Sequence, residues 1–435
     1  MKKNFLALML LLSGSAMAQD APFSIAANLF DSSKKETMGL DYATGAETYT
    51  VFAAAEGTDH YSNGVVLAAF KGALYCMWQS SQTDEDAADT WVAYAKSTDG
   101  GKTWSAPKVL CPTISNGYVA SGGWLATADK LIGYINTRPS SVANSGGYTQ
   151  FVESADGETW TEPAEVKMDG GAQLNGIFEQ DPHVLPNGRI ISAAHFQPGL
   201  KLCPIYTDDP TGRTGWKKGN FTYTDNGSQS VELEPSFFQK PDGTLVMVMR
   251  DQKSRYVVLA ATSKDNGETW TKAVTTNMPD SRAKQCAGNL PDGTVFLVNN
   301  PGQVKNSANK TWRVPLAVTL SADGNTFTHS YLLRSGASGD YPAQRYTGKS
   351  KTLGYSYPKA IVNDGYLYVS YATNKDDAQL TRVPLSSLML INPNGIATVS
   401  TKASADGRLY DLSGRPVKHP KPGLYIRNGK KFIVR

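Results

Sequence analysis

Ser97-Thr-Asp-Gly-Gly-Lys-Thr-Trp104 returns as Ser263-Lys-Asp-Asn-Gly-Glu-Thr-Trp270. Shorter copies stand at Ser154-Ala-Asp-Gly-Glu-Thr-Trp160 and Ser321-Ala-Asp-Gly-Asn-Thr-Phe327, and Thr207-Asp-Asp-Pro-Thr-Gly-Arg-Thr-Gly-Trp216 is a frayed copy. Their starts are 57, 53, 56 and 58 residues apart. A period of this size marks one supersecondary unit copied around an axis or along a stack. Within each phrase, Asp and Gly supply the side-chain-to-backbone bonds and positive-φ tolerance of a tight turn, and Trp pins that turn to its sheet.

The flanks alternate as strands do, as in Trp91-Val-Ala-Tyr-Ala and Tyr256-Val-Val-Leu-Ala. A second family of turns interleaves with the first: Pro186-Asn-Gly, Pro241-Asp-Gly, Pro291-Asp-Gly and Asn363-Asp-Gly, each followed by apolar alternation. Two hairpins in each period of roughly 56 residues make a four-stranded blade. Residues 28–390 hold six such units, so the expected fold is all-β: a six-bladed β-propeller with a small C-terminal β appendage. The phrases themselves read as scaffold turns far from a central pocket. One acidic side chain per turn is too few oxygen ligands for calcium.

Lys2 and Lys3, the apolar run Phe5 to Leu12 and Ala16-Met-Ala18 before Gln19 read as a secretory signal over residues 1–18. No later run has the length of a membrane span, so the expected location is secreted, periplasmic or at the cell surface. Lys2 and Lys3 carry two of the net +4 charges, and residues 404–435, with eight Lys/Arg against two Asp, carry six more. The propeller region is therefore left with about four negative charges, which gives no electrostatic reason to expect nucleic acid. The four cysteines form no CxxC pair, and Cys76, in Ala73-Leu-Tyr-Cys-Met-Trp78, reads as a buried thiol. The five histidines show no HxxxH or HExxH spacing, so neither metal nor cofactor is expected. Residues 404–435 read as three short strands, around Gly407-Arg-Leu-Tyr, Gly423-Leu-Tyr-Ile and Asn428-Gly-Lys-Lys-Phe-Ile-Val. This tail resembles the C-terminal sorting domain of type IX secretion cargo, which implies a secretion machinery as partner. The other reading is a plain β appendage with a basic face.

The Ser-x-Asp-x-Gly-x-Thr-Trp phrases resemble those of the sialidase superfamily, the Asp-box or BNR-repeat proteins. That resemblance covers the propeller and directs attention to four segments. In Glu234-Pro-Ser-Phe-Phe-Gln-Lys-Pro-Asp-Gly-Thr-Leu-Val-Met-Val-Met-Arg250, it implies that Glu234 assists a tyrosine nucleophile and Arg250 binds a substrate carboxylate. Arginine suits that task because its planar fork gives two parallel charge-assisted bonds. Arg313, ahead of the strand leading into Ser321-Ala-Asp-Gly324, is similar to a second carboxylate-binding arginine. Gly354-Tyr-Ser-Tyr-Pro-Lys359 is similar to the nucleophile segment. Tyr355 and Tyr357 are two apart on a strand and are expected to share one face, which leaves the choice between them open. Tyrosine, with its ordinary pKa near 10, needs a neighbouring carboxylate to accept its proton. In the acidic loop Asp84-Glu-Asp-Ala-Ala-Asp89, Asp86 matches the acid/base aspartate.

One segment departs from the family pattern. Sialidases open the first blade with Arg-Ile-Pro, whose arginine completes a cluster of three. The matching Asp59-His-Tyr-Ser-Asn-Gly-Val-Val-Leu67 has none, and His60 stands near the vacant place. Further polar groups lie at corresponding strand ends: Glu179, Asp181 and His183 before the strand that ends Ala193-Ala-His195, and Arg282, Lys284 and Gln285 before Pro291-Asp-Gly. Arg282, Lys284 and Gln285 offer donors to an anionic or hydroxyl-rich ligand. Glu179, Asp181, His60 and His183 offer acid/base groups.

The expected function is an exo-acting glycoside hydrolase removing a terminal acidic sugar from a complex glycan. Arg250 and Arg313 would hold the acidic group, Glu234 would activate Tyr355 or Tyr357, and Asp86 or His60 would protonate the leaving oxygen. Two alternatives keep the pocket: a hydrolase or lyase acting on uronate-linked glycans, and a glycan-binding propeller without turnover.

Overall fold

The computed structural model describes residues 20–142, 146–222, 233–253, 255–305 and 311–391, and, in the tail, 409–410, 416–418, 420–427 and 430–434. The chain separates into two units, Met1–Leu390 and Ile391–Arg435. The expected signal segment lies outside the described residues.

The first unit is a ring of six antiparallel sheets. Blade 1 runs from the inner strand Tyr61–Phe70 through Ala73–Ser81 and Trp91–Ser97 to the outer Lys108–Cys111. Blade 2 is built from Gly117–Ala126, Leu131–Pro139, Tyr148–Ser154 and Ala164–Glu165, and blade 4 from Ser236–Gln239, Leu245–Met249, Val257–Ser263 and Val274–Pro279. Blade 5 follows with Cys286–Asn289, Val295–Asn299, Leu316–Ser321 and His329–Arg334. Blade 6 takes Tyr355–Asn363, Tyr366–Thr373 and Asp377–Pro384 from the end of the unit and its outer strand, Glu47–Phe52, from the beginning. That borrowed strand closes the ring, and Arg382 donates from Nε to Glu47 at 2.8 Å across the seam.

Blade 3 is irregular. Its inner strand is split into Gly176–Phe178 and His183–Val184, both paired with Ile190–Phe196, with Lys201–Thr207 and Lys217–Lys218 beyond. Gln180, at φ 69, and Pro182 interrupt the ladder between the two pieces.

Strand alternation explains why the blades stay together. In Ala73–Ser81, Tyr75 and Met77 pack against blade 2, while Leu74, Cys76 and Trp78 pack against blade 6. Each of the six buried apolar clusters is one seam between neighbouring blades. Both faces of every sheet are thus apolar, and no blade buries its surface alone. Cys76 is a fully buried free thiol in one such seam.

The repeated phrases form the turns between third and fourth strands, and each is wired through its aspartate. In the first, Ser97 Oγ donates to Asp99 Oδ1 at 2.8 Å, and Thr103 donates its N–H to Oδ1 at 3.0 Å and its hydroxyl to Oδ2 at 2.7 Å. Trp104 Nε1 donates to Gly101 O at 3.0 Å. The Thr103 N–H, with the two hydroxyls, holds the Asp99 carboxyl well below the usual carboxylate range. The frayed copy keeps the scheme through Asp209, Thr214 and the Trp216 Nε1 bond to Gly212 O. Each turn leans on the preceding blade, and Gly157 shows how closely: a Cβ there would lie 2.0 Å from Tyr75 Oη.

The tail unit is a three-stranded sheet of Leu409–Tyr410, Gly423–Arg427 and Lys430–Val434.

Candidate functional site

The inner strands begin and the second strands end on the face opposite the repeated turns, around the propeller axis. A pocket of ≈ 220 Å³ opens there. Asp86, Glu234 and Tyr357 line it, together with Glu179, Lys284 and His195, from five different blades.

Tyr357 is placed by a break in its strand. The pairing of Tyr355–Asn363 with Tyr366–Thr373 shifts register between Ser356 and Lys359, and Tyr357 has φ 56. The two tyrosines therefore do not share a face, contrary to the strand-period expectation. Tyr355 turns into the core, with its hydroxyl donating to Ser335 O at 2.8 Å and its ring packed edge-on to Tyr341 and Tyr371. Tyr357 turns into the pocket, where three cations face its ring: Arg313 at 4.5 Å from the centroid, Lys375 at 5.3 Å and Lys284 at 5.5 Å.

Arg313 is held from behind. Its carbonyl accepts from Tyr355 N at 2.8 Å and from Asn300 Nδ2 at 2.9 Å. It bridges Gly354, whose φ of 104 and closeness to that carbonyl exclude a Cβ. Arg313 Nη1 is buried and finds no hydrogen-bond partner among the described residues.

Glu234 precedes the inner strand of blade 4 at φ 40, and its Oε2 accepts from Arg250 Nη1 at 2.6 Å. Burial acts to raise this carboxyl, but Arg250 and Lys284 outweigh it and hold it below the usual range. Arg250 is not among the lining residues. Its Nη1 is engaged by Glu234. Asp86 sits at the rim beside Tyr118, with Lys349 Nζ donating to its Oδ2 at 3.0 Å.

A second chain of charges crosses the floor. Lys284 Nζ donates to Glu179 Oε2 at 2.7 Å, and Glu179 Oε1 lies 2.5 Å from His195 Nδ1. Burial acts to raise Glu179, but His195 and Lys284 together hold it ionised, well below the usual range.

The remaining expected residues lie elsewhere. His60 stacks flat on Tyr346 at 3.7 Å and contacts Ala55 O through Nε2 at 3.0 Å, so it does not line the pocket. Asp181 is buried with His183 at 3.1 Å and Lys359 at 3.3 Å, in a separate polar cluster; neither Asp181 nor His183 lines the pocket. Gln285, buried just ahead of the inner strand Cys286–Asn289, is not among the lining residues as its neighbour Lys284 is, and Arg282, at φ 63, is exposed.

Lys375 was not foreseen. It sits in the turn after Tyr366–Thr373, where Asn374 and Lys375 have φ 56 and 55, and its Nζ donates to Tyr61 Oη at 3.0 Å. Positive charge thus reaches the arginine-free stretch Asp59 to Leu67 from blade 6. Among the described residues no cluster of His, Cys, Asp or Glu forms a metal site.

A family model described as a BNR repeat-like domain matches residues 72–369, well over half of the chain. The chain belongs to that family, within the sialidase superfamily. A curated relative of this BNR-repeat protein, a sialidase of Bacteroides fragilis, is 23% identical over 312 residues, covering 62% of this chain and 54% of the relative. The chain therefore spans about half the length of the curated relative it matches. Among solved structures, a Hadza microbial sialidase superposes with a TM-score of 0.60 at 16% identity, covering 79% of this chain and 69% of that one. A leech intramolecular trans-sialidase complexed with 2,7-anhydro-Neu5Ac gives 0.58 at 16% identity, covering 80% and 72%. At these identities the likeness is one of fold.

Proposed function

We propose that this BNR-repeat protein is an exo-acting glycoside hydrolase that removes a terminal acidic sugar, with sialic acid as the first candidate. The observation that carries the reading is the convergence of Asp86, Glu234 and Tyr357 on one axial pocket, together with the three cations that face the tyrosine ring. Tyr357 Oη attacks the anomeric carbon while Glu234 accepts its proton, the glycosidic C–O bond breaks, and Asp86 protonates the leaving oxygen. Water then displaces the tyrosine and releases the sugar. A tyrosine nucleophile is the sialidase exception among glycosidases. Arg313, Lys284 and Lys375 favour an anion at the sugar's acidic group, and Arg250 holds Glu234 in place. The amino-terminal segment supports export, and the basic three-stranded tail supports a sorting role in it.

The test is incubation of the full chain with an α-linked fluorogenic sialoside and, in parallel, a β-linked fluorogenic glucuronide, each repeated with Glu234→Gln. Release from the sialoside that Glu234→Gln abolishes supports sialic acid. Release from the glucuronide alone keeps the acidic-sugar hydrolase and replaces sialic acid with a uronate. Release from neither overturns the hydrolase reading.

A further inference from the structure

His195 is a pocket residue that this mechanism leaves unused. It is 1% exposed, lines the pocket, and has its Nδ1 against an ionised carboxylate. A carboxylate accepts only, so Nδ1 donates to Glu179 and Nε2 is the ring's remaining hydrogen-bonding atom. That Nε2 is buried and has no hydrogen-bond partner among the described residues. A buried polar nitrogen left unpaired is costly, and such groups are normally satisfied by protein, water or ligand. The neighbours fix the imidazole firmly: Lys284 anchors Glu179, Glu179 anchors Nδ1, and the ladder pairs His195 with Ile177. His195 stands on blade 3, Tyr357 and Lys375 stand on blade 6, and Arg313 and Lys284 belong to blade 5. In a ring of six, blades 3 and 6 face each other across the axis.

We propose that His195 Nε2 hydrogen-bonds a hydroxyl of the bound sugar, across the axis from Tyr357. Glu179 is the positioning residue that fixes the ring's orientation through Nδ1. A site that reads one hydroxyl in this way discriminates against sugars lacking it, because the buried ring nitrogen is then left unpaired. The proposal rests on the acidic-sugar reading for the ligand's class and orientation, not for the hydrolytic step.

The experiment is nuclear magnetic resonance of the full chain carrying 15N-labelled histidine, titrated with free sialic acid and, in a second arm, with free glucuronic acid. The His195 signals are assigned by their loss in His195→Phe. The expected result is a ligand-dependent shift of the His195 Nε2 resonance with either sugar. Binding is expected to weaken about tenfold in His195→Phe and to recover partly in His195→Gln, whose amide ends near the same place. Binding that leaves this resonance unmoved overturns the proposal, and so does failure of both sugars to bind. Should His195→Phe not fold, assignment passes to His195→Gln and the wild-type shift decides. Turnover of the sialoside without a His195 shift removes this inference and keeps the hydrolase. A shift without turnover does the reverse.

Discussion

Arg250 donates from Nη1 to Glu234 Oε2 at 2.6 Å, with both side chains about nine-tenths withdrawn from solvent. Removing one partner of such a pair leaves an uncompensated charge at the pocket wall, a loss of about 3 kcal/mol or more. Arg250→Met should therefore destabilise the propeller by roughly that amount in urea unfolding. The double variant with Glu234→Gln should recover a substantial part, because no charge is then stranded. Additive losses in the two single variants would show that the pair is not coupled.

The two tyrosines of the Gly354-Tyr-Ser-Tyr segment make opposite predictions. Tyr357→Phe should abolish glycoside release while leaving the melting temperature near that of the wild type. Tyr355→Phe removes a buried hydroxyl that donates to Ser335 O, so it should cost about 1 kcal/mol of stability and leave activity within a few-fold. Paired melting curves and rate measurements check both. Activity lost with Tyr355 and kept with Tyr357 would reverse the assignment.

These contrasts mark where the sequence is legible. The repeated turn is local chemistry, written in adjacent residues, so the six blades could be read from spacing and composition. Glu234 and Asp86 were accessible in the same way, through segments similar to those of a known family. The choice between Tyr355 and Tyr357 was not, because a shift in register cancels the strand period on which the reading relied. The partner of His195 is likewise set by how a broken inner strand pairs with its neighbour, and Gln180 gave only a faint sign of that break. Lys375 meets Tyr61 across 314 residues of sequence, a proximity created by closing the ring. Its one local trace is an Asn-Lys-Asp turn between strands.

Gly354 bears on the placement of Arg313. A Cβ there would stand 2.3 Å from the Arg313 carbonyl oxygen, and the residue's φ is 104. Gly354→Ala combines backbone strain with a clash against backbone, so it should cost about 3 kcal/mol. Because Arg313 must shift to relieve the clash, the variant should also raise KM for an acidic glycoside more than it lowers kcat. An unchanged KM in a destabilised variant would mean that Arg313 does not hold the substrate.

Asp280 sets an unusual pH dependence. Burial pushes its carboxyl up to about 6, against the opposing bonds from Ala283 N–H and Asn299 Nδ2. Below the ordinary carboxylate pKa of about 3.9, Asp280 is neutral folded or unfolded, and it has no effect on the balance. Between that value and about 6 the unfolded chain releases the proton while the folded chain retains it, so stability falls as pH rises through this window. Above it the loss is constant, at about 3 kcal/mol. Glu179 and Glu234, held below their ordinary range, act with the opposite sign: their contribution is complete above about pH 4.5 and disappears as the solution is acidified. Stability should therefore rise from strongly acidic solution to a maximum near pH 4.5 and then decline toward pH 6. Asp280→Asn keeps an acceptor for Ala283 N–H and cannot ionise. Urea unfolding across pH 4 to 8 should show the decline in the wild type and a flatter profile in the variant, and parallel profiles would mean that another group controls it.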